Sequence, residues 1–369
     1  MRGIKLMLLA LAALALVWAG CDREITGDVQ LADTGSTGCF SCHSDKDVVL
    51  KVAQEQYKHS QHATGENTNR NRLYSSSYGS CEKCHTHQGF VAEVTGEDAS
   101  GDYFTRIDCF TCHQPHSSGA FGLRLEAAAT LADKVTTYDR GSSNLCAACH
   151  QGRRDAATYV VDSVMLTSRW SPHYSVQSDM LLGVNAYEYD GYAYRNSWHS
   201  TGVTEGCVEC HMRTASVHAS VGGHSWNVAN HERHIENLTG CNRDGCHVDP
   251  PLDSLNRLAF ADYDGDTEIE TVRDEITGLL DSLKFLLLDA GLVDTTDEGE
   301  VEPKDSLIVP DADSAGAVYN YLFVLDDGSM GVHNTNYVLD LLQSAINYIA
   351  TGDPSGLPAN RRSSFATSR

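Results

Sequence analysis

Cys81-Glu-Lys-Cys84-His85, Cys109-Phe-Thr-Cys112-His113, Cys146-Ala-Ala-Cys149-His150 and Cys207-Val-Glu-Cys210-His211 repeat one spacing, and Cys39-Phe-Ser-Cys42-His43 shares it. A sixth segment, Cys241-Asn-Arg-Asp-Gly-Cys246-His247, is the same pattern with a wider gap. These six pairs take twelve of the 13 cysteines, and each pair is followed at once by His. Structural zinc uses paired thiolates but does not require His directly after every pair. Disulfides in an oxidising compartment would use the thiols and leave six repeated histidines without a purpose. At this composition roughly 0.02 chance matches to the regular spacing are expected, so five are not accidental.

Cys-x-x-Cys-His is the attachment pattern of c-type haem. The two thiols form thioethers with the cofactor, and the adjacent His reaches the iron from the proximal side. The reading assigns haem attachment to Cys39, Cys42, Cys81, Cys84, Cys109, Cys112, Cys146, Cys149, Cys207, Cys210, Cys241 and Cys246. The proximal iron ligands are His43, His85, His113, His150, His211 and His247. Gly245 eases the wider turn of the sixth segment; a Cys241–Cys246 disulfide is the competing reading there.

The rest of the chain works outward from this core. Arg2 and Lys5, the apolar run Leu6 to Trp18, and Ala19-Gly20 have the layout of an export signal, 1–20. Val17-Trp18-Ala19-Gly20-Cys21 resembles a bacterial lipobox, which makes the odd cysteine, Cys21, a lipidation site. Trp18 departs from that pattern, and a retained membrane anchor is the alternative. Residues 21–38 read as a tether, 39–250 as a hexahaem cytochrome domain, 251–352 as an acidic helical C-terminal subdomain packing on it, and 353–369 as a disordered tail. From Leu252 onward there is no Cys and one His, His333, with 22 acidic and 7 basic residues. Ile269, Val272, Ile276, Leu279, Leu280, Leu283 and Leu287 repeat with helical spacing, with Thr267 and Glu270 as an expected capping box and Gly291 as the stop. A second helix or strand is expected over Ala315–Leu325. A third apolar stripe, Tyr337 to Ile349, opens at an expected N-cap, Asn334. The formal charge of −23 argues against a nucleic-acid partner, which needs clustered Lys and Arg.

The chain resembles the multihaem c-type cytochromes around cytochrome c-554, the ammonia-forming nitrite reductases and hydroxylamine oxidoreductase. Tyr57-Lys-His-Ser60-Gln-His62-Ala63 is similar to that group's aromatic-x-x-Ser-x-His-Ala element, and Cys112-His113-Gln-Pro115-His116 to its Cys-His-x-Pro-His segment. Ser171-Pro-His173, Ser197-Trp-His199, Gly222-Gly-His224 and Gly331-Val-His333-Asn334 are similar to further elements. The resemblance implies distal iron ligation by His62, His116, His173, His199, His224 and His333. His59, His218, His231 and His234 stand in reserve, and His87, two residues after His85, is expected on the surface.

The resulting expectation is mainly α with extensive loops. It is a multihaem cytochrome c fold organised around six stacked haems, with a C-terminal helical subdomain. Its function is electron transfer in extracytoplasmic respiration, without catalysis. The partners are redox proteins or extracellular electron acceptors, and a lipid anchor holds the chain on the periplasmic or cell-surface face of the outer membrane. The alternative is a reductase with one open haem acting on nitrogen oxyanions or hydroxylamine. The sequence lacks the Cys-x-x-Cys-Lys motif that resembles the active haem of the nitrite reductases. Asp262-Tyr-Asp264-Gly-Asp266 resembles a Ca2+ loop without the Gly and closing Glu where an EF-hand has them, so a solvated acidic turn is the competing reading. Arg124, Arg153 and Arg154 follow haem motifs and are placed either to pair with propionates or to face water.

Overall fold

The computed structural model describes residues 48–65, 81–99, 104–115, 122–214 and 218–355. Cys21, Cys39, Cys42, His43 and His116 lie outside them, as do the export signal, the tether and most of the tail. Helices of nine residues or more are labelled α1 (Val48–Tyr57), α2 (His87–Thr95), α3 (Val272–Asp289), α4 (Ala312–Asp327) and α5 (Thr335–Thr351).

Val272, Ile276, Leu279, Leu280, Leu283 and Leu287 form one buried stripe along α3. The helix starts later than the Thr267/Glu270 box predicts. Thr271 is the N-cap, and its hydroxyl accepts the Asp274 N–H at 3.3 Å. Glu270 lies ahead of the helix. Residues 262–270 form a loop closed by Glu275, whose carboxylate accepts the N–H groups of Tyr263, Asp264 and Glu270. Asp311 caps α4 on the Ser314 N–H, and α4 ends at Gly328 in the left-handed region. Tyr319, Phe323, Val318 and Asn320 are all fully buried, so α4 is covered on every side, as a central core helix must be. The helix alternative for 315–325 therefore holds. Asn334 occupies the N-cap position of α5, but its side chain does not cap. It is spent on tertiary bonds described below.

α3, α4 and α5 pack on one another. Their apolar core also draws in Ala156, Leu166, Trp170, Val176, Met180 and Tyr189 from the Cys-rich part. The short antiparallel pairing of Val164–Met165 with Ile308–Val309 crosses the same junction. Pro250-Pro251 thus marks a change of composition, while the helical core is built from both sides of it.

Among the described residues, the Cys-rich part has only short helices, loops and two-residue strand pairs. Four of its motifs sit on single helical turns, within or beside Glu82–His85, Cys109–Cys112, Asn144–Ala147 and Cys207–His211. Residues three apart on a helix lie on one face, so both thiols of a motif point the same way. Asp108 fixes one such turn as a capping box with Thr111. The wider sixth motif follows the 3-10 turn Leu238–Gly240 instead, and Gly245 takes a positive φ of 80° within it, a conformation that favours glycine.

Candidate haem-binding site

Every described motif histidine faces one histidine from elsewhere in the chain. The ring centroids of His150 and His62 are 6.1 Å apart, and those of His85 and His173 are also 6.1 Å apart. His113 and His224, His247 and His199, and His211 and His333 each stand at 6.2 Å. An imidazole nitrogen lies about 1.1 Å from its ring centroid, and a metal–imidazole bond is about 2 Å. Two rings on opposite sides of one ion therefore put their centroids about 6.2 Å apart. The five spacings agree with each other and with that length.

The second nitrogen of these rings is oriented as well. His211 turns Nδ1 to the Trp226 carbonyl at 2.7 Å, and His199 to the Val332 carbonyl at 2.7 Å. His150 faces Gln177 Oε1 at 3.1 Å. His173 faces Ser175 Oγ at 3.0 Å, a hydroxyl that donates to the Gln151 carbonyl. His333 faces Asp327 Oδ1 at 2.6 Å. An acceptor at Nδ1 places the ring proton there and leaves the Nε2 lone pair for a metal. Burial pushes the pKa of His62 down to about 4, and burial with the nearby Arg153 charge does the same for His173. Both rings are therefore neutral at physiological pH, the form that ligates.

The ten described cysteines are all half-buried, and none of them forms a disulfide. Cys241 and Cys246 are free thiols here, so the pair is not closed as a disulfide. Burial pushes the thiols of Cys112 and Cys210 up to about 12. Different motifs also meet: Cys84 Sγ lies 3.9 Å from the Ala148 carbonyl and Cys149 Sγ 3.9 Å from the Lys83 carbonyl, while Ser143, beside the fourth motif, accepts the Val208 N–H of the fifth at 3.0 Å. The second, fourth and fifth motifs are therefore contiguous. Together the paired thiols, the histidine that follows each pair and the opposing rings fit c-type haem. Arg124 is used by the Phe110 carbonyl, and Arg154 lies over the Tyr159 ring.

The remaining histidines differ. His231 and His234 are exposed. His87 is half-buried rather than on the surface, because its Nδ1 lies 2.9 Å from Thr111 Oγ1 and 3.4 Å from Asp108. His59 and His218 face each other at 5.7 Å. The Nδ1 of His218 accepts the Ser220 N–H at 3.0 Å, opposite in sense to the five rings above. Carboxylates of Asp262, Asp264 and Glu275 come within 4.8 Å of one another. The backbone N–H groups that Glu275 gathers account for this loop without an ion.

Sequence reasoning missed two residues. The Trp226 ring packs on His62 at 4.8 Å and on His224 at 5.7 Å, while its carbonyl holds His211, so one residue joins three sites. Asp327 was not singled out, since an acidic residue at a helix end is ordinary in a chain with 50 of them.

No family model matches the chain. Similarity to curated proteins is more informative. The chain is 21 % identical over 336 residues to the C-type polyheme cytochrome OmcB of Geobacter sulfurreducens, covering 75 % of this chain and 45 % of that protein. It is 25 % identical over 190 residues to the C-type polyheme cytochrome OmcC of the same species, covering 38 % of this chain and 25 % of that protein. Its relatives are multihaem c-type cytochromes. The chain spans less than half the length of these relatives. Among solved structures, the outer cell wall cytochrome OcwA aligns with a TM-score of 0.46 and 19 % identity, over 80 % of this chain and 49 % of that one. Among the described residues, no helix is long and apolar enough to cross a membrane.

Proposed function

We propose that this chain is an exported cytochrome that holds six covalent haems, each with two axial histidines, and passes electrons between them one at a time. The observation that carries the proposal is the set of five opposing histidine pairs, each pairing one motif histidine with His62, His173, His199, His224 or His333. When bound, haem supplies a one-electron iron couple. The chain's own residues do the rest. The thiols fix position, the paired imidazoles saturate the iron, and the oxygen acceptors at Nδ1 orient each ring. The contacts that join the second motif to the fourth and the fourth to the fifth support a continuous electron path. The first site, outside the described residues, is assigned to Cys39, Cys42 and His43, with His116 as its distal ligand.

The proposed place of action is outside the cytoplasm, with Cys21 lipidated and the chain held on the outer membrane. There it would exchange electrons with redox proteins or extracellular acceptors. A reductase with an open haem is not favoured, since each described motif histidine already has a histidine opposite. The test is one purified sample. Intact mass should show six covalent haems, and spin resonance should show low-spin iron throughout. A high-spin resting haem would overturn the transfer-only reading, and a protein without covalent haem would overturn the whole of it.

A further inference from the structure

The haem reading allows one site to be distinguished from the others. Among the axial rings, His150, His173, His199 and His211 turn Nδ1 to neutral oxygens. His333 turns Nδ1 to a carboxylate, Asp327 Oδ1, at 2.6 Å. That carboxylate is 1 % exposed, and its only charged partner among the described residues is His333 itself. Its other oxygen takes the Ser329 hydroxyl and, at 3.3 Å, the Ser329 N–H. The Ser329 hydroxyl in turn accepts the His333 N–H at 3.2 Å. The loop 327–333 is therefore folded around this one contact.

Resting on the haem assignment, we infer that Asp327 is a positioning residue that lowers the reduction potential of the His211/His333 site relative to that site with a neutral acceptor. A buried carboxylate draws the Nδ1 proton towards itself and makes the imidazole a stronger donor at Nε2. A stronger axial donor stabilises the oxidised iron more than the reduced iron, and second-shell hydrogen bonding is one of the protein's means of setting potential. Charge-assisted hydrogen bonds are roughly twice as strong as neutral ones. The same loop reaches a second site. Gln177 Nε2 donates to the carbonyls of Asp326 and Asp327, at 3.0 and 3.4 Å, while Gln177 Oε1 faces His150. Asp327 thus sits where the fourth and fifth sites share a support.

The test uses the full chain, haem-loaded, with a potentiometric titration followed by optical and spin-resonance spectra. Asp327→Asn keeps the shape and an acceptor oxygen and removes the charge. The expected result is a rise of about tenfold in the reduction equilibrium of one haem, about 59 mV for one electron. The other potentials should hold, with haem count unchanged by intact mass and an altered low-spin signal for that haem alone. Ser329→Ala is the second variant. It removes the hydroxyl donor from the far oxygen and leaves the backbone N–H there, concentrates charge on Oδ1 and should move the same potential down. A merely structural role for Asp327 predicts no such opposite pair. Potentials unchanged in Asp327→Asn with all haems attached overturn the inference. If that variant loses a haem, Ser329→Ala decides: a fall supports the inference and no change overturns it. A wild-type chain lacking covalent haem instead defeats the parent reading, which intact mass alone reveals.

Discussion

Replacing Asn334 with Leu should loosen the joint between the helical core and the haem region. Asn334 is fully buried. Its Oδ1 accepts the Ser197 N–H at 2.8 Å and the Ser197 hydroxyl at 3.0 Å. Its Nδ2 donates to the Met180 carbonyl at 3.1 Å and to Asn196 Oδ1 at 2.7 Å. Leu has the same branched skeleton with bulkier ends and makes none of these bonds. Asn196 is exposed and can turn to water, and the Ser197 hydroxyl keeps the Asn336 N–H. The Ser197 N–H is left without its partner beside a residue buried on all sides, while the Met180 carbonyl keeps the Gly183 N–H at 3.1 Å. One orphaned buried group costs about 1–3 kcal/mol, so the expected loss is about 1–3 kcal/mol. The loss should be local first, because Asn334 ties segment 196–199 to α5 and to the helix Gln177–Leu182. Hydrogen exchange on the haem-loaded protein, with and without the substitution, reads the opening of these segments separately. An opening free energy within about 0.5 kcal/mol of wild type at Ser197 would refute the reasoning, since it would mean that water already serves this group.

Other outcomes follow from the same geometry. His173→Ala should convert one low-spin haem to high-spin while leaving the haem count at its wild-type value, read by spin resonance and intact mass. Cys246→Ala should leave the sixth haem singly attached or lost and the rest in place, by intact mass. Burial pushes the Asp326 carboxyl up to about 7, and its Oδ2 has no hydrogen-bond partner among the described residues. In the unfolded chain it ionises near pH 3.9, so the folded state binds the extra proton between these values. Stability should therefore fall as pH rises from about 4 to about 7 and level off above, by an amount on the order of a few kcal/mol. Asp326→Asn should flatten that slope in denaturation of the haem-loaded protein. Cys21→Ser should move the protein from the membrane to the soluble fraction. Retention after a salt wash would defeat the lipid anchor.

How much of this could be read in advance depends on the range over which each signal acts. The motif spacings are local, and so are the stripes of α3 and α5; both were legible residue by residue. The opposing histidines were nominated through resemblance, because each pair joins distant parts of the chain and no spacing encodes that. Asn334 shows where local rules mislead. Its position before an apolar stripe reads as an N-cap, and it does stand there, but its side chain makes four tertiary bonds instead of capping α5. Thr267 and Glu270 matched a capping box in type and spacing, yet Glu275 folds the chain ahead of α3 into a loop and moves the start to Thr271. His87 looked exposed from its sequence separation to His85, but Thr111 on another motif gives its ring a partner.

The sequence divides at Pro250-Pro251 by composition, and the tertiary structure joins the two parts at the fifth site. His211 belongs to the Cys-rich part and His333 to the loop between α4 and α5. On one side of this pair, the Trp226 carbonyl holds His211; on the other, Asp327 at the end of α4 holds His333. Just beyond it, the Val332 carbonyl holds His199, whose ring stands opposite that of the motif histidine His247. Three consecutive residues, Val332, His333 and Asn334, therefore support two sites and the packing of α5 in one turn of chain. A helical core of this kind needs no histidine for its own cohesion, since its apolar stripes already bury each other. Its loop is placed where His199 meets an oxygen, the Val332 carbonyl, and the motif histidine His211 meets an opposing imidazole, His333. The helices after Pro251 thus carry those partners on a shared apolar core, beside the short helices and loops of the Cys-rich part.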